Sequence, residues 1–161
     1  MTEAFDRNRV LMLDDEALGK ECSFESFKAS GNGGQKRNKT SSAIRVRHLP
    51  TGVTAEDTAE RSWFRNRANA LRKLRLKLSL LYREVPAPLP RPVCALEHAD
   101  YPLWRAVLLD AAEANLFEPK PAAEFLGMSP SALVKLFYRD KELWENINRK
   151  RLALGKSSLR V

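Results

Sequence analysis

The chain has 161 residues, 43% of them apolar, which is enough for one ordinary domain, or for a small domain with a helical appendix. No run of 18 apolar residues occurs and the N-terminal stretch mixes acids with bases, so neither a membrane span nor a signal peptide is expected, and a cytoplasmic protein is. The net charge of +8 is unevenly spread: residues 1–27 carry −4, residues 28–83 carry +11 and residues 84–161 carry +1, a concentration that points to a polyanion, with nucleic acid ahead of an acidic membrane surface.

In chain order, Cys22 to Ala29 alternates as a strand and runs into SGNGGQKRNKT, residues 30–40. Ala43 to Leu49 places Ile44, Val46 and His48 on one face and Arg45 and Arg47 on the other. Pro50, Thr51 and Gly52 form a turn signal, so the chain from Val53 returns as the second strand of a hairpin. From Ser62 to Leu81 the spacing of Phe64, Ala68, Leu71, Leu74, Leu78 and Leu81 predicts a helix packed on that sheet. Its other face carries Arg61, Arg65, Arg67, Arg72, Lys73, Arg75 and Lys77. Pro86, Pro88, Pro90 and Pro92 alternate in a stretch that favours an extended spacer. Beyond it the pattern predicts helices over 103–115, 121–126, from Ser129 as N-cap with Pro130 at the first helical position, and from Lys141 through Trp144 and Ile147. The expected fold class is α+β: a small sheet with a glycine loop and packing helix over 1–84, a proline-rich linker over 85–92, and a helical region with a basic tail over 93–161.

Cys22 and Cys94 form no CxxC pair, and His48 and His98 are not spaced as metal ligands, so no disulfide, metal site or cofactor is expected. The glycines of GNGGQ admit backbone conformations and close approaches that a Cβ forbids. What they present is Gln35, which is neither acid nor base at neutral pH, and no adjacent carboxylate or histidine completes a nucleophilic constellation. The spacing matches neither a Walker loop nor a dinucleotide fingerprint, so the tripeptide by itself indicates an ordinary flexible loop. The stretch 122–137, AAEFLGMSPSALVKLF, has the form of a helix-turn-helix, a form it shares with plain helical bundles.

The surrounding order of motifs changes the weight of the loop. From Ser26 to Leu74 the chain runs through Gly33-Gly34-Gln35, Asn38-Lys39-Thr40, His48-Leu49-Pro50-Thr51-Gly52 and Glu60-Arg61-Ser62 before the basic helix. This series resembles the peptidyl-tRNA hydrolysing domain of class I peptide chain release factors, and the similarity covers residues 22–78. Lys36-Arg37 stands where the family usually has His-Val, so contacts with rRNA are expected to differ there.

The resemblance implies a ribosome-dependent hydrolase whose loop enters the peptidyl transferase centre of the large subunit and admits water to the ester between nascent peptide and tRNA. Gly33, Gly34 and Gln35 would be the catalytic residues, with the Gln35 backbone N–H at the developing oxyanion and its side chain positioning water. Gln35 is also a candidate for N-methylation by a glutamine methyltransferase. Lys36, Arg37, Asn38, Lys39 and Thr40 would anchor the loop on rRNA, and the candidate RNA contacts continue through Arg45, Arg47, Arg61, Arg65, Arg72, Lys73 and Lys77.

About twenty residues precede the first strand, so a codon-reading domain is not expected, and the organisation resembles the short rescue proteins that free stalled ribosomes or large subunits. Those proteins often place a basic tail in the vacant mRNA channel. Residues 148–161 offer Arg149, Lys150, Arg151, Lys156 and Arg160 with no acid, for which a solvated helix end is an equal explanation. The helical region departs from the rescue pattern. A monomer is expected; the rival classes are a non-catalytic ribosome-binding factor and a helix-turn-helix regulator.

Overall fold

The computed structural model describes residues 5–28 and 42–161. Gly33, Gly34, Gln35, Lys36, Arg37, Asn38, Lys39 and Thr40 lie outside the described residues. The chain divides into two compact units, 1–78 and 79–161. The division falls ahead of the proline stretch that the composition marks as a boundary.

The first unit is α+β. Two short helices open it, α1 (Arg7–Met12) and α2 (Asp15–Lys20), and each is capped by an aspartate: Asp6 accepts from the Arg9 N–H and Asp14 from the Ala17 N–H. Much of the acidic character of the N-terminal segment therefore lies at helix starts, where it offsets the dipole. Three antiparallel strands follow in the order β1 (Cys22–Phe27), β2 (Ala43–His48) and β3 (Thr54–Asp57). Cys22 pairs with His48 and Phe27 with Ala43, so the segment 29–41 leaves the sheet between two directly paired residues. Gly52, at φ +71°, closes the β2–β3 turn, donating its N–H to the His48 carbonyl at 2.7 Å. Ile44, Val46 and His48 are buried and Arg47 is exposed, as the period-two pattern requires.

Helix α3 (Trp63–Leu81) packs against this sheet along a line different from the one its apolar residues suggest. The buried row is Asn66, Ala70, Leu74 and Leu78, flanked by Leu71 and Arg75, while Phe64, Ala68 and Leu81 are exposed. Phe64 shares a heptad with Leu71 and Leu78, but the contact follows the fourth-residue ridge, which winds about the helix by roughly 40° per step. At the first turn the contact has therefore moved roughly 160° away from Phe64. Arg75, expected on the outer face, is 8% exposed; it donates to Asp15 at 2.7 Å and to the Leu13 carbonyl at 2.8 Å.

The second unit is all helical: α4 (Tyr101–Ala114), α5 (Pro119–Phe125), α6 (Pro130–Arg139) and α7 (Lys141–Ala153). Helix α4 is its centre, buried on nearly every side. Arg105 is enclosed with its partners, Ser79 Oγ at 2.9 Å, Asp140 at 2.9 Å and Glu142 at 3.1 Å, and the Tyr101 hydroxyl also donates to Asp140. Asp110 receives Arg83 and the Glu84 N–H. These bonds to Ser79, Arg83 and Glu84 explain why the division falls at Leu78. The proline stretch is likewise held within this unit, since the Trp104 indole donates to the Arg91 carbonyl at 2.9 Å. Ser129 caps α6 as its sequence indicates, accepting from the Ala132 N–H.

The C-terminal segment folds back along α7. Leu143, Ile147 and Arg151 form the buried row of that helix, and Arg151 is 7% exposed. Its guanidinium donates to the carbonyls of Ser157 and Phe117. Lys156 donates to the Leu116 carbonyl at 2.9 Å and to Glu118. Leu116 and Phe117 stand at φ 51° and 57°, two successive left-handed residues that cost about 1–3 kcal/mol each unless the surroundings hold them. The two tail cations fasten that turn.

Two expectations follow. Arg151→Ala strips the donor from a buried carbonyl and should cost about 1–3 kcal/mol, whereas Arg149→Ala on the exposed face should change stability by less than about 0.5 kcal/mol; urea unfolding of the two variants measures the difference. His48 is fully buried, and burial lowers its pKa despite an opposing hydrogen bond to the Glu21 carboxylate. The unfolded chain then takes up the proton first, so stability should fall as pH drops below about 6.5 towards the lower folded value. Denaturation midpoints between pH 7 and 5 should show that fall, and it should flatten in His48→Gln.

Candidate nucleic-acid interface

The base of the segment 29–41 is a hydrogen-bonded clamp. Asn66, fully buried in the first turn of α3, donates through Nδ2 to the Ser42 carbonyl at 2.6 Å and to the Glu60 carbonyl at 2.9 Å, and accepts the Glu60 N–H at 2.9 Å. One carboxamide thus uses both donors and its acceptor on main-chain groups that no strand or helix satisfies. Ser42 Oγ donates to the same Glu60 carbonyl. On the other side of the segment, Trp63 Nε1 donates to Ser26 Oγ at 2.9 Å, one residue before β1 ends. Ser26 and Ser42, on either side of residues 29–41, are therefore both tied to the first turn of α3.

Trp63 also meets Phe64 edge to face, with ring centroids 5.3 Å apart. Neither Trp63 nor Asn66 was among the residues that the motif analysis singled out. A readable signal for Asn66 does exist: it stands four residues before Ala70 on the row continued by Leu74 and Leu78, and a lone amide on a buried row must have fixed partners.

The candidate cations divide into those that the fold engages and those that it leaves outward. Arg45 bridges three strands, donating to Glu56 at 2.6 Å and Glu25 at 3.1 Å and lying over the Phe27 ring. Lys73 reaches the buried Asp57 at 2.6 Å and the Glu56 carbonyl. Burial would raise the Asp57 carboxyl, but Lys73, the Ala59 N–H and Asn69 together hold it below the usual carboxylate value. Lys77 donates to the Thr54 carbonyl at 2.7 Å. Arg47 and Arg61 are exposed, Arg72 is half-buried, and Arg65 is 75% exposed, with Glu60 3.7 Å away. Arg65, Ala68 and Arg72 share one stripe of α3.

In the second unit Arg149, Lys150 and Arg160 are exposed, while Arg151 and Lys156 are committed to the turn at Leu116 and Phe117. On α6, the second helix of the helix-turn-helix-like stretch, Lys135 is exposed and Arg139 donates to the Cys94 carbonyl. Among the described residues no cluster of three potential metal ligands occurs, and no helix is long and apolar enough to cross a membrane. Cys22 and Cys94 are free thiols, and burial pushes the Cys22 pKa up to about 11.

The RF-1 domain family matches residues 16–87, which span α2, the three strands, the segment 29–41 and α3. Over 71 residues the chain is 46% identical to "Peptide chain release factor 1" of Thermotoga maritima, an overlap of 44% of this chain and 21% of that protein. It is 44% identical over 72 residues to "Peptide chain release factor 2" of Thermotoga petrophila, covering 45% of this chain and 20% of that one. "Peptide chain release factor 2" of Lactiplantibacillus plantarum is 44% identical over 66 residues, 41% of this chain and 18% of the relative. The chain spans about a fifth of the length of the curated relatives it matches. The matched segment contains Gly33, Gly34 and Gln35 and the whole clamp around Asn66, so these residues lie within the stretch that is similar to release factors.

Proposed function

We propose that the chain hydrolyses the ester between nascent peptide and tRNA in the peptidyl transferase centre, and that it does so without a stop codon, freeing stalled ribosomes or large subunits. The observation that carries this reading is the sequence Gly33-Gly34-Gln35 between β1 and β2 of a domain matched by release factors. The described residues that flank the segment, Ser26 and Ser42, are hydrogen-bonded to the first turn of α3. Fixed ends suit a loop that must deliver one amide to one place, because a flexible base would have to be ordered on binding.

In the proposed reaction Gly33 and Gly34 let the main chain turn so that the Gln35 N–H donates to the oxyanion formed as water adds to the ester carbonyl. The Gln35 carboxamide orients that water. It is also the atom group that a glutamine methyltransferase would modify. Arg47, Arg61, Arg65 and Arg72, with Lys36, Arg37 and Lys39 on the loop, provide phosphate contacts that position without reading sequence. Arg149, Lys150 and Arg160 are the tail cations that can join them.

Release from ribosomes that hold peptidyl-tRNA should proceed equally with an empty A site, a sense codon or a stop codon; strict dependence on a stop codon would contradict the rescue reading. Gly34→Ala should slow release about a hundred-fold with binding retained, and Gln35→Ala should be milder because its main-chain donor remains. Binding without release in the wild-type protein would favour the non-catalytic alternative. Binding to large subunits should weaken steeply with salt, and replacing Arg61, Arg65 and Arg72 together by Gln should reduce the log–log slope by about two to three. An unchanged slope would show that this stripe does not face phosphate.

A further inference from the structure

Among the described residues of the first unit, Phe64 is the most exposed large apolar side chain, ahead of Met12 and Leu49. It is 79% exposed, although α3 turns Leu71 and Leu78 of the same heptad inward. A single exposed aromatic is ordinary by itself. This one is not free to swing, however. Its ring meets Trp63 at an interplanar angle of 90°, and the Trp63 indole is itself held by Ser26 at the end of β1.

The surroundings are selective. Ala68 stands one turn on from Phe64 along α3, and its small side chain leaves the ring open in that direction. Arg65 and Arg72 line the neighbouring stripe, and Arg61 stands two residues before the helix begins. Glu60 is the acid found there, and it sits 3.7 Å from Arg65. An exposed ring held by Trp63, on a helix whose first turn also carries Arg65 and is preceded by Arg61, matches a nucleobase with its phosphates: the π-face accepts the base and the cations accept the backbone. An apolar protein partner would leave those guanidinium groups to be desolvated without counter-charge.

We propose that Phe64, braced by Trp63, is a stacking platform for an unpaired RNA nucleotide, with Arg61 and Arg65 on its flanking phosphates. The proposal rests on the reading of the partner as ribosomal RNA. It adds a contact that depends on ring shape and not on charge, at the base of the segment carrying Gln35. Stacking contributes in any base sequence, because every base presents a face.

The test compares the full-length wild-type chain with Phe64→Ala, Phe64→Leu, Phe64→Trp and Arg65→Gln. Each is titrated against purified large ribosomal subunits and against a short unstructured oligoribonucleotide over a series of salt concentrations, after circular dichroism has shown the variants to be folded. Phe64→Ala and Phe64→Leu should each weaken binding about ten-fold with the salt slope unchanged. Phe64→Trp should bind as the wild type does, and Arg65→Gln should lower the slope. Full affinity in Phe64→Ala overturns the proposal. Full affinity in Phe64→Leu also overturns it, by showing an apolar protein contact in place of stacking. Should the wild-type chain ignore large subunits yet bind the oligoribonucleotide in a Phe64-dependent way, the ribosomal reading fails and the stacking site stands; binding to neither probe removes both.

Discussion

Asn66 is the interaction on which the first unit turns. Its carboxamide joins Ser42, just ahead of β2, and the loop at Glu60 to the first turn of α3. An apolar residue at this position would leave the Ser42 carbonyl and both main-chain groups of Glu60 without it, at about 1–3 kcal/mol for each group that water does not reach. The leucines beyond it on the same ridge supply the apolar driving force, about 1.5–3 kcal/mol for each buried side chain. The direction of α3 across the sheet is therefore set by packing, and its position along the sheet by one amide. From this position follow the bracing of Trp63, the outward placement of Phe64, and the ties of Ser26 and Ser42 to α3.

The charge pattern follows the same logic. The +11 of residues 28–83 suggests one continuous cationic face, but the fold turns several of those cations inward or across the sheet. Arg75 is tied to Asp15 of α2, Lys73 to Asp57, and Arg45 to Glu25 and Glu56. Among the described residues, what remains outward is narrower: Arg61 and Arg65 at the start of α3, with Arg47 on the sheet. A narrow stripe suits a surface that must dock in one orientation, since charges committed to internal partners no longer attract phosphate from other directions. The second unit treats its basic tail in the same way, using Arg151 and Lys156 to hold a strained turn.

The strands of the sheet, the turn at Gly52 and the capped start of α6 were legible because each obeys a local rule: alternation in β2, a turn glycine at Gly52, and Ser129 ahead of Pro130. The motif order around Gly33-Gly34-Gln35 was legible for the same reason, as a series of fixed spacings. What escaped depends on tertiary geometry. Phe64 looked like core because it shares a heptad with Leu71 and Leu78, and only the oblique packing of α3 reveals that the contact follows the fourth-residue ridge. Arg75 and Arg151 were read as surface charge from their type, although each stands on a buried row, Arg151 four residues beyond Ile147. Helices α1 and α2 are six residues each, too short for periodicity to register, and their aspartate caps read only as acidic composition.

The central claim is that a clamp at Asn66 presents a hydrolytic loop to peptidyl-tRNA. The most direct measurement is the rate of peptide release at saturating protein from ribosomes with an empty A site, for the wild-type chain and Asn66→Ala, below the thermal transition of both. The account predicts that the wild type releases peptide, and that the variant binds with an affinity within a few-fold of it while releasing at least about ten times more slowly, because the loop end at Ser42 is no longer held. No release by the wild type, or full-rate release by the variant, would contradict it.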